Sequence, residues 1–129
     1  RVTGPNEVRL IGPGVLSRAV DALITRVNDA YLKMTFDRSW DAPSSEFFYP
    51  RTDAGPFLAR GILTIGLTPG VHARYHLPSD EAAALDPAKM ETIARTVFAT
   101  IWALADAQQR PAIDRGIPET VPRYGSTSR

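Results

Sequence analysis

Both histidines of the chain, His72 and His76, fall in the stretch Gly70-Val71-His72-Ala73-Arg74-Tyr75-His76-Leu77-Pro78-Ser79-Asp80, beside a tyrosine and an aspartate. A neutral imidazole can ligate a metal, a carboxylate can orient it, and a phenol can donate a hydrogen bond. His72 and His76 are four apart, but Gly70 and Pro78 argue against a helix, so the helical two-histidine zinc geometry does not apply. A second stretch, Arg51-Thr52-Asp53-Ala54-Gly55-Pro56-Phe57, adds another acid. Each residue also has an ordinary reading. A loop histidine is most often solvated or capping, and Tyr75 can pack with its hydroxyl in water. Arg51 and Asp53 can form a surface pair, and Asp80 and Glu81 can favour the start of a helix.

The elements that must hold these residues follow from periodicity. Glu7 to Ile11 alternate as a short strand, ended by Gly12-Pro13-Gly14. Leu16, Ala19, Val20, Leu23, Ile24 and Val27 recur at helical spacing and predict a helix over Leu16–Ala30. Leu32 to Phe36 reads as a second strand. From Asp37 to Gly55 the pattern dissolves around Pro43, Pro50 and the aromatic cluster Phe47-Phe48-Tyr49, a loop long enough to border a functional site. A short helix over Pro56–Arg60 closes at Gly61. Ile62 to Leu67 form a nearly continuous apolar run, as in a strand buried on both faces, and Thr68-Pro69-Gly70 ends it. The histidine-bearing loop therefore lies past the C-terminal end of a strand, where open α/β sheets place ligands. Asp86 caps and Pro87 begins a last helix to Gln109, with Met90, Ile93, Ala94, Val97, Ile101, Leu104 and Ala105 as its apolar stripe. Strands alternating with helices predict an α/β sandwich.

Bulk properties narrow the function classes. The 129 residues fit one domain, and 43% hydrophobic content supplies a core. With 15 Lys+Arg against 14 Asp+Glu, the net charge of +1 gives no reason to expect nucleic acid or an acidic membrane as partner. There is no cysteine, which excludes disulfides and thiolate metal sites. No apolar run reaches the roughly 18 residues that read as a membrane span. The opening Arg1-Val2-Thr3-Gly4-Pro5 has no initiator Met and no signal-peptide pattern, and reads as the interior of a longer gene product. The polar end from Tyr124 to Arg129 is expected to be flexible.

Taken in order, Arg51-Thr52-Asp53-x-x-Pro56-Phe57, Gly61-Ile62 leading into an apolar strand, Thr68-x-Gly70, Tyr75-His76 and Asp80 resemble the co-catalytic zinc aminopeptidases. That family is similar in fold to carboxypeptidases and glutaminyl cyclases. The resemblance runs from about Val8 to Pro111 and is strongest between Arg51 and Asp86. It implies that His76 is the last zinc ligand and that Tyr75 hydrogen-bonds the tetrahedral oxyanion. It further implies that Asp53 belongs to the polar network behind the site and that Asp80 orients the loop.

Departures from the pattern shape the rest of the expectation. Ala54 stands where many relatives have a histidine or tyrosine. The early His-x-Asp, the central Glu-Glu pair and a further Asp that complete the family's metal site are missing from the matched region, and this chain contains no His-x-Asp and no Glu-Glu. One imidazole does not make a zinc site, because three or four protein ligands are normal. The expected architecture is thus the C-terminal part of an α/β/α sandwich over residues 1–112, with a central mixed sheet, followed by a polar tail over 113–129. The full-length enzyme is expected to hold two zincs and hydrolyse N-terminal peptide bonds, while this chain alone holds none stably and is inactive. Open sheet edges predict association with itself or with the missing N-terminal part. A secreted or periplasmic location is implied by the resemblance alone. Two alternatives stand beside this reading: a non-catalytic binding or structural relative, and a glutaminyl cyclase. The cyclases usually carry tryptophan where this chain has Tyr75.

Overall fold

The computed structural model describes residues 2–45 and 52–121. The aromatic cluster Phe47-Phe48-Tyr49, Arg51 and the end from Tyr124 to Arg129 lie outside the described residues. The elements are β1 (Glu7–Ile11), α1 (Pro13–Leu16), α2 (Arg18–Ala30), β2 (Thr35–Asp37), α3 (Ala54–Leu58), β3 (Gly66–Thr68), a single 3-10 turn (Ala82–Ala84) and α4 (Pro87–Ala105). The fold is a small α/β arrangement around a three-stranded mixed sheet of order β2-β1-β3. β1 runs parallel to β2, with Val8 opposite Phe36, and antiparallel to β3, with Leu10 opposite Leu67. A parallel pair needs a crossover connection, and α2 supplies it.

β1 is the apolar centre: Val8 and Leu10 are fully buried and Ile11 nearly so. Alternation along the strand sends Val8 and Leu10 to one face and Arg9 and Ile11 to the other. Ile11 joins Leu16, Leu58, Ala59 and Val121 in a buried cluster, flanked by Val15, Trp40, Leu63, Ile113 and Ile117. Residues beyond 112, expected as a polar tail, therefore bring Ile113, Ile117 and Val121 into the core. Asp114 and Arg115 also donate their backbone N–H groups to the carbonyl of Leu16.

The predicted helix over Leu16–Ala30 is two helices. Ser17 is extended (φ −152°) and its hydroxyl accepts from the Val20 N–H, so the chain restarts as α2 with Ser17 as its cap. Gly12 precedes α1 at φ +107°, where a Cβ would meet the Thr64 carbonyl at 2.6 Å. Only glycine fits there. The Asp41 carboxylate closes the same turn by accepting from the N–H groups of Gly12 and Gly14 at 2.9 and 2.7 Å.

Both outer strands are displaced from their expected positions. β2 begins at Thr35 rather than Leu32, because Leu32 and Lys33 finish α2 by donating to the Asn28 carbonyl. Lys33 sits at φ +53°, and the Asn28 side chain clasps Met34 by exchanging two hydrogen bonds with its backbone. β3 covers Gly66–Thr68 rather than Ile62–Leu67 and is half-buried at a sheet edge, so the expectation of burial on both faces does not hold. Its apolar run instead reaches the core through Leu63.

α3 begins two residues earlier than expected, at Ala54, and Gly61 at φ +73° turns the chain away after it. Asp86 caps α4 by accepting from the Lys89 N–H at 3.0 Å, and Pro87 opens its first turn, as expected. The helix ends at Ala105 rather than Gln109. Its inward side differs from the expected stripe. The residues it buries fully are Thr96 and Thr100, whose hydroxyls donate to the carbonyls four residues back, and Thr96 also reaches the Met34 sulfur. Met90, Phe98, Ile101 and Trp102 are exposed, the last at 67%. No described helix is long and apolar enough to cross a membrane.

Candidate functional site

The loop that follows β3 is built from short-range hydrogen bonds. The Thr68 hydroxyl accepts from the Gly70 N–H, and Gly70 at φ +97° turns the chain out of the sheet. Three turns then succeed one another. The N–H of Tyr75 donates to His72, that of Leu77 to Arg74, and that of Asp80 to Leu77, all at 2.9–3.0 Å. Every side chain from His72 to Asp80 is exposed. This is a folded platform on the surface, tied to the rigid sheet at one end and to the turn before α4 at the other.

On that platform the two histidines have different surroundings. His72 Nδ1 accepts from the Arg74 N–H at 3.2 Å, and its Nε2 faces Asp80 Oδ2 at 3.7 Å, an electrostatic contact longer than a hydrogen bond. His76 has no hydrogen bond at either ring nitrogen among the described residues. Its ring stacks on Tyr75 with centroids 3.9 Å apart and planes 18° apart. Tyr75 in turn meets the His72 ring edge-on at 6.3 Å. The row Asp80, His72, Tyr75, His76 is thus contiguous, with His76 at its end.

His76 also carries a backbone signature. Its φ is +60°, in the left-handed region, where a non-glycine residue costs about 1–2 kcal/mol. Such strain concentrates where a site needs a side chain at a particular angle. The structure therefore separates His76 from His72 on geometry alone: one imidazole is committed to its own loop, the other is presented.

The remaining residues singled out from the sequence are less closely joined. Asp53 stands exposed at the start of α3 in helical conformation and makes no side-chain cap there; the Thr52 hydroxyl accepts from Ala54 N–H instead. Among the described residues no hydrogen bond or ion pair links Asp53 to Tyr75, His76 or Asp80. Asp80 reaches His72 rather than His76. The described residues hold no group of three or more histidines and acids able to bind a metal ion. A zinc ion needs three or four protein ligands, so the residues present do not fit a complete metal centre.

Two features of this region were not legible in the sequence. A cleft of about 910 Å³ opens between the loop and α4, walled by Pro5, Pro69, His72, Asp80, Leu85 and Met90. At its base the Lys89 ammonium donates to the Thr3 carbonyl and hydroxyl and to the Gly4 carbonyl at 2.8–2.9 Å. Desolvation on burial lowers the Lys89 pKa, opposed by the charges of Asp86 and Glu7. No local pattern announces a contact between residues 86 positions apart.

The Tyr-His pair thus lies in the loop past the end of β3 in a small α/β fold, and open α/β sheets place ligands beyond strand ends. The family comparison is specific: the model of peptidase family M28 matches residues 5–101, most of the chain. The chain belongs to peptidase family M28, a family of metallopeptidases that generally use zinc. No curated protein and no solved structure matched the chain.

Proposed function

We propose that this chain is the C-terminal segment of an α/β/α-sandwich zinc aminopeptidase, contributing Tyr75 and His76 to a site completed by other residues. The observation that carries the reading is the exposed Tyr75-His76 stack with His76 held at positive φ, inside the segment matched by the peptidase family. His76 would present its imidazole as one metal ligand. The Tyr75 hydroxyl would donate to the oxygen of the tetrahedral species formed at an N-terminal peptide bond. Zinc, when bound, supplies Lewis acidity and an activated water. Asp80 helps to orient the loop, and Asp53 lies in the polar surroundings. By this reading the isolated chain does not hydrolyse peptides, because one imidazole does not hold the metal.

Among the described residues no strand pairs with the outer edges of β2 and β3, and α4 leaves Phe98, Ile101 and Trp102 exposed, which favours association with an upstream half of the sandwich. Self-association is what the isolated chain is expected to do instead.

The test uses the longest gene product that contains this chain. Its intact mass and metal content are measured on one preparation, followed by assays with an aminoacyl anilide and with an N-terminal glutamine peptide. About two zincs per chain and anilide cleavage would support the reading. Cyclisation of the glutamine peptide would turn it to the cyclase, and a metal-free, inert product would turn it to a non-catalytic relative.

A further inference from the structure

The peptidase reading assigns the loop one ligand and one oxyanion donor, and leaves His72 unused. Its surroundings are nonetheless the most constrained of any side chain in the loop. The Nδ1 lone pair is taken by the Arg74 N–H, which requires the ring proton, in the neutral form, to sit on Nε2, toward Asp80. The carbonyl of the same residue accepts from the Tyr75 N–H. Its ring edge abuts Tyr75, which stacks on His76. One residue thereby closes the first turn through its backbone and its side chain together, and touches both Asp80 and Tyr75.

We propose that His72 is a positioning residue: it braces the loop so that Tyr75 and His76 are presented together, and it is not itself a metal ligand. Each contact alone is weak. An exposed ion pair is worth about 0–1 kcal/mol, and His72 and Asp80 are 40% and 37% exposed. What gives the brace its effect is convergence on one ring of contacts that an apolar residue cannot reproduce. Asparagine can reproduce the key one, since its side-chain oxygen accepts from the N–H two residues on. This role explains why a strained φ at His76 persists: the first two turns, fixed at His72 and Arg74, leave the backbone at residue 76 little freedom.

The brace takes its purpose from the peptidase reading, but its geometry can be tested without metal or substrate. On the isotopically labelled 129-residue chain, NMR of the histidine rings reads the tautomer of His72. Backbone couplings read φ at His76, and nuclear Overhauser contacts read the Tyr75–His76 stack. The expected result is the Nε2–H tautomer in the unaltered chain, with loss of the stack and of the positive φ in His72→Leu. His72→Asn should restore both, while core methyl signals of Val8, Leu10 and Ile24 stay unchanged in every variant. An Nδ1–H tautomer would overturn the proposal, as would a His72→Leu loop that keeps its stack and its φ. Should His72→Leu disturb the core, Asp80→Asn provides the second cut, and an undisturbed His72 ring in that variant would equally overturn the brace. Failure of zinc binding or hydrolysis in the longer gene product would sink the peptidase reading and leave this result standing.

Discussion

At His76, conformation and side-chain chemistry pull in different directions. The imidazole stands at the loop surface, but its backbone suits glycine. Replacing His76 with Gly should therefore leave the chain as stable as before or up to about 1 kcal/mol more stable, read by chemical denaturation, while removing the imidazole proposed as a metal ligand. A loss greater than that would show that the histidine ring supports the fold. Asp37 offers a residue-scale test of a different kind. Hydrogen bonds from the Ser39 side chain and backbone, with Arg9 beside it, lower its pKa from 3.8 to about 2. A depressed carboxylate stabilises the fold fully above its unfolded pKa and loses that contribution as pH falls. Stability should decline by about 2 kcal/mol between pH 4 and pH 2 through this group, and Asp37→Asn should flatten that part of the pH profile. A residue-scale feature that follows a local rule was legible: Asp86 before Pro87 reads as a cap. The different surroundings of His72 and His76 were not, because they depend on turn geometry that two histidines four apart do not encode.

Among the elements, β1, α2, α3 and α4 could be read, the outer strands only in approximate position, and α1 not at all. β1 and α2 carry periodic apolar patterns, whereas β2 and β3 are three residues each and owe their positions to neighbours. Leu32 and Lys33 look like strand residues but complete the end of α2, since the helix carbonyls need donors before the chain can leave. For α4 the periodicity identified a helix and misjudged its orientation, because two threonines can bury themselves by bonding their own helix backbone. Lys89 fastens this helix to the start of the chain. Lys89→Met keeps the methylene stem, removes the lysine donor from the Thr3 carbonyl and leaves the Gly4 carbonyl only the Glu7 N–H. The expected cost is about 1–2 kcal/mol, accompanied by faster amide exchange at residues 3 to 7 and little change in the Thr96–Thr100 turn of α4. Unaltered exchange at the N-terminal residues would contradict the anchoring role.

For the molecule as a whole, the decisive feature is incomplete cover. Phe98 and Trp102 stand 65% and 67% exposed beside a groove of about 740 Å³ between α2 and α4, and their rings tilt together 6.0 Å apart. Contiguous apolar surface of this sort drives association. Light scattering on the purified chain should show species larger than 14.1 kDa, and the double change Phe98→Glu with Trp102→Glu should shift them toward monomer without unfolding β1. A dilute, stable monomer of the unaltered chain would count against this. The α/β class was legible from alternation of elements. The contribution of Ile113, Ile117 and Val121 was not, because three apolar residues among prolines and charges have no periodicity and gain meaning only when the Ile11–Leu58 cluster is there to receive them.

The order β2-β1-β3 has a consequence for how the chain is made. Of the three strands, the central one is made before both of its neighbours, the strand on its second edge ends at Thr68, and the lysine that ties down Thr3 comes later still. Until residue 66 is made, β1 has β2 but not β3 beside it. Ribosome-bound chains stopped at residues 60 and 110 (each followed by a tunnel-spanning linker) should therefore differ in their sensitivity to protease.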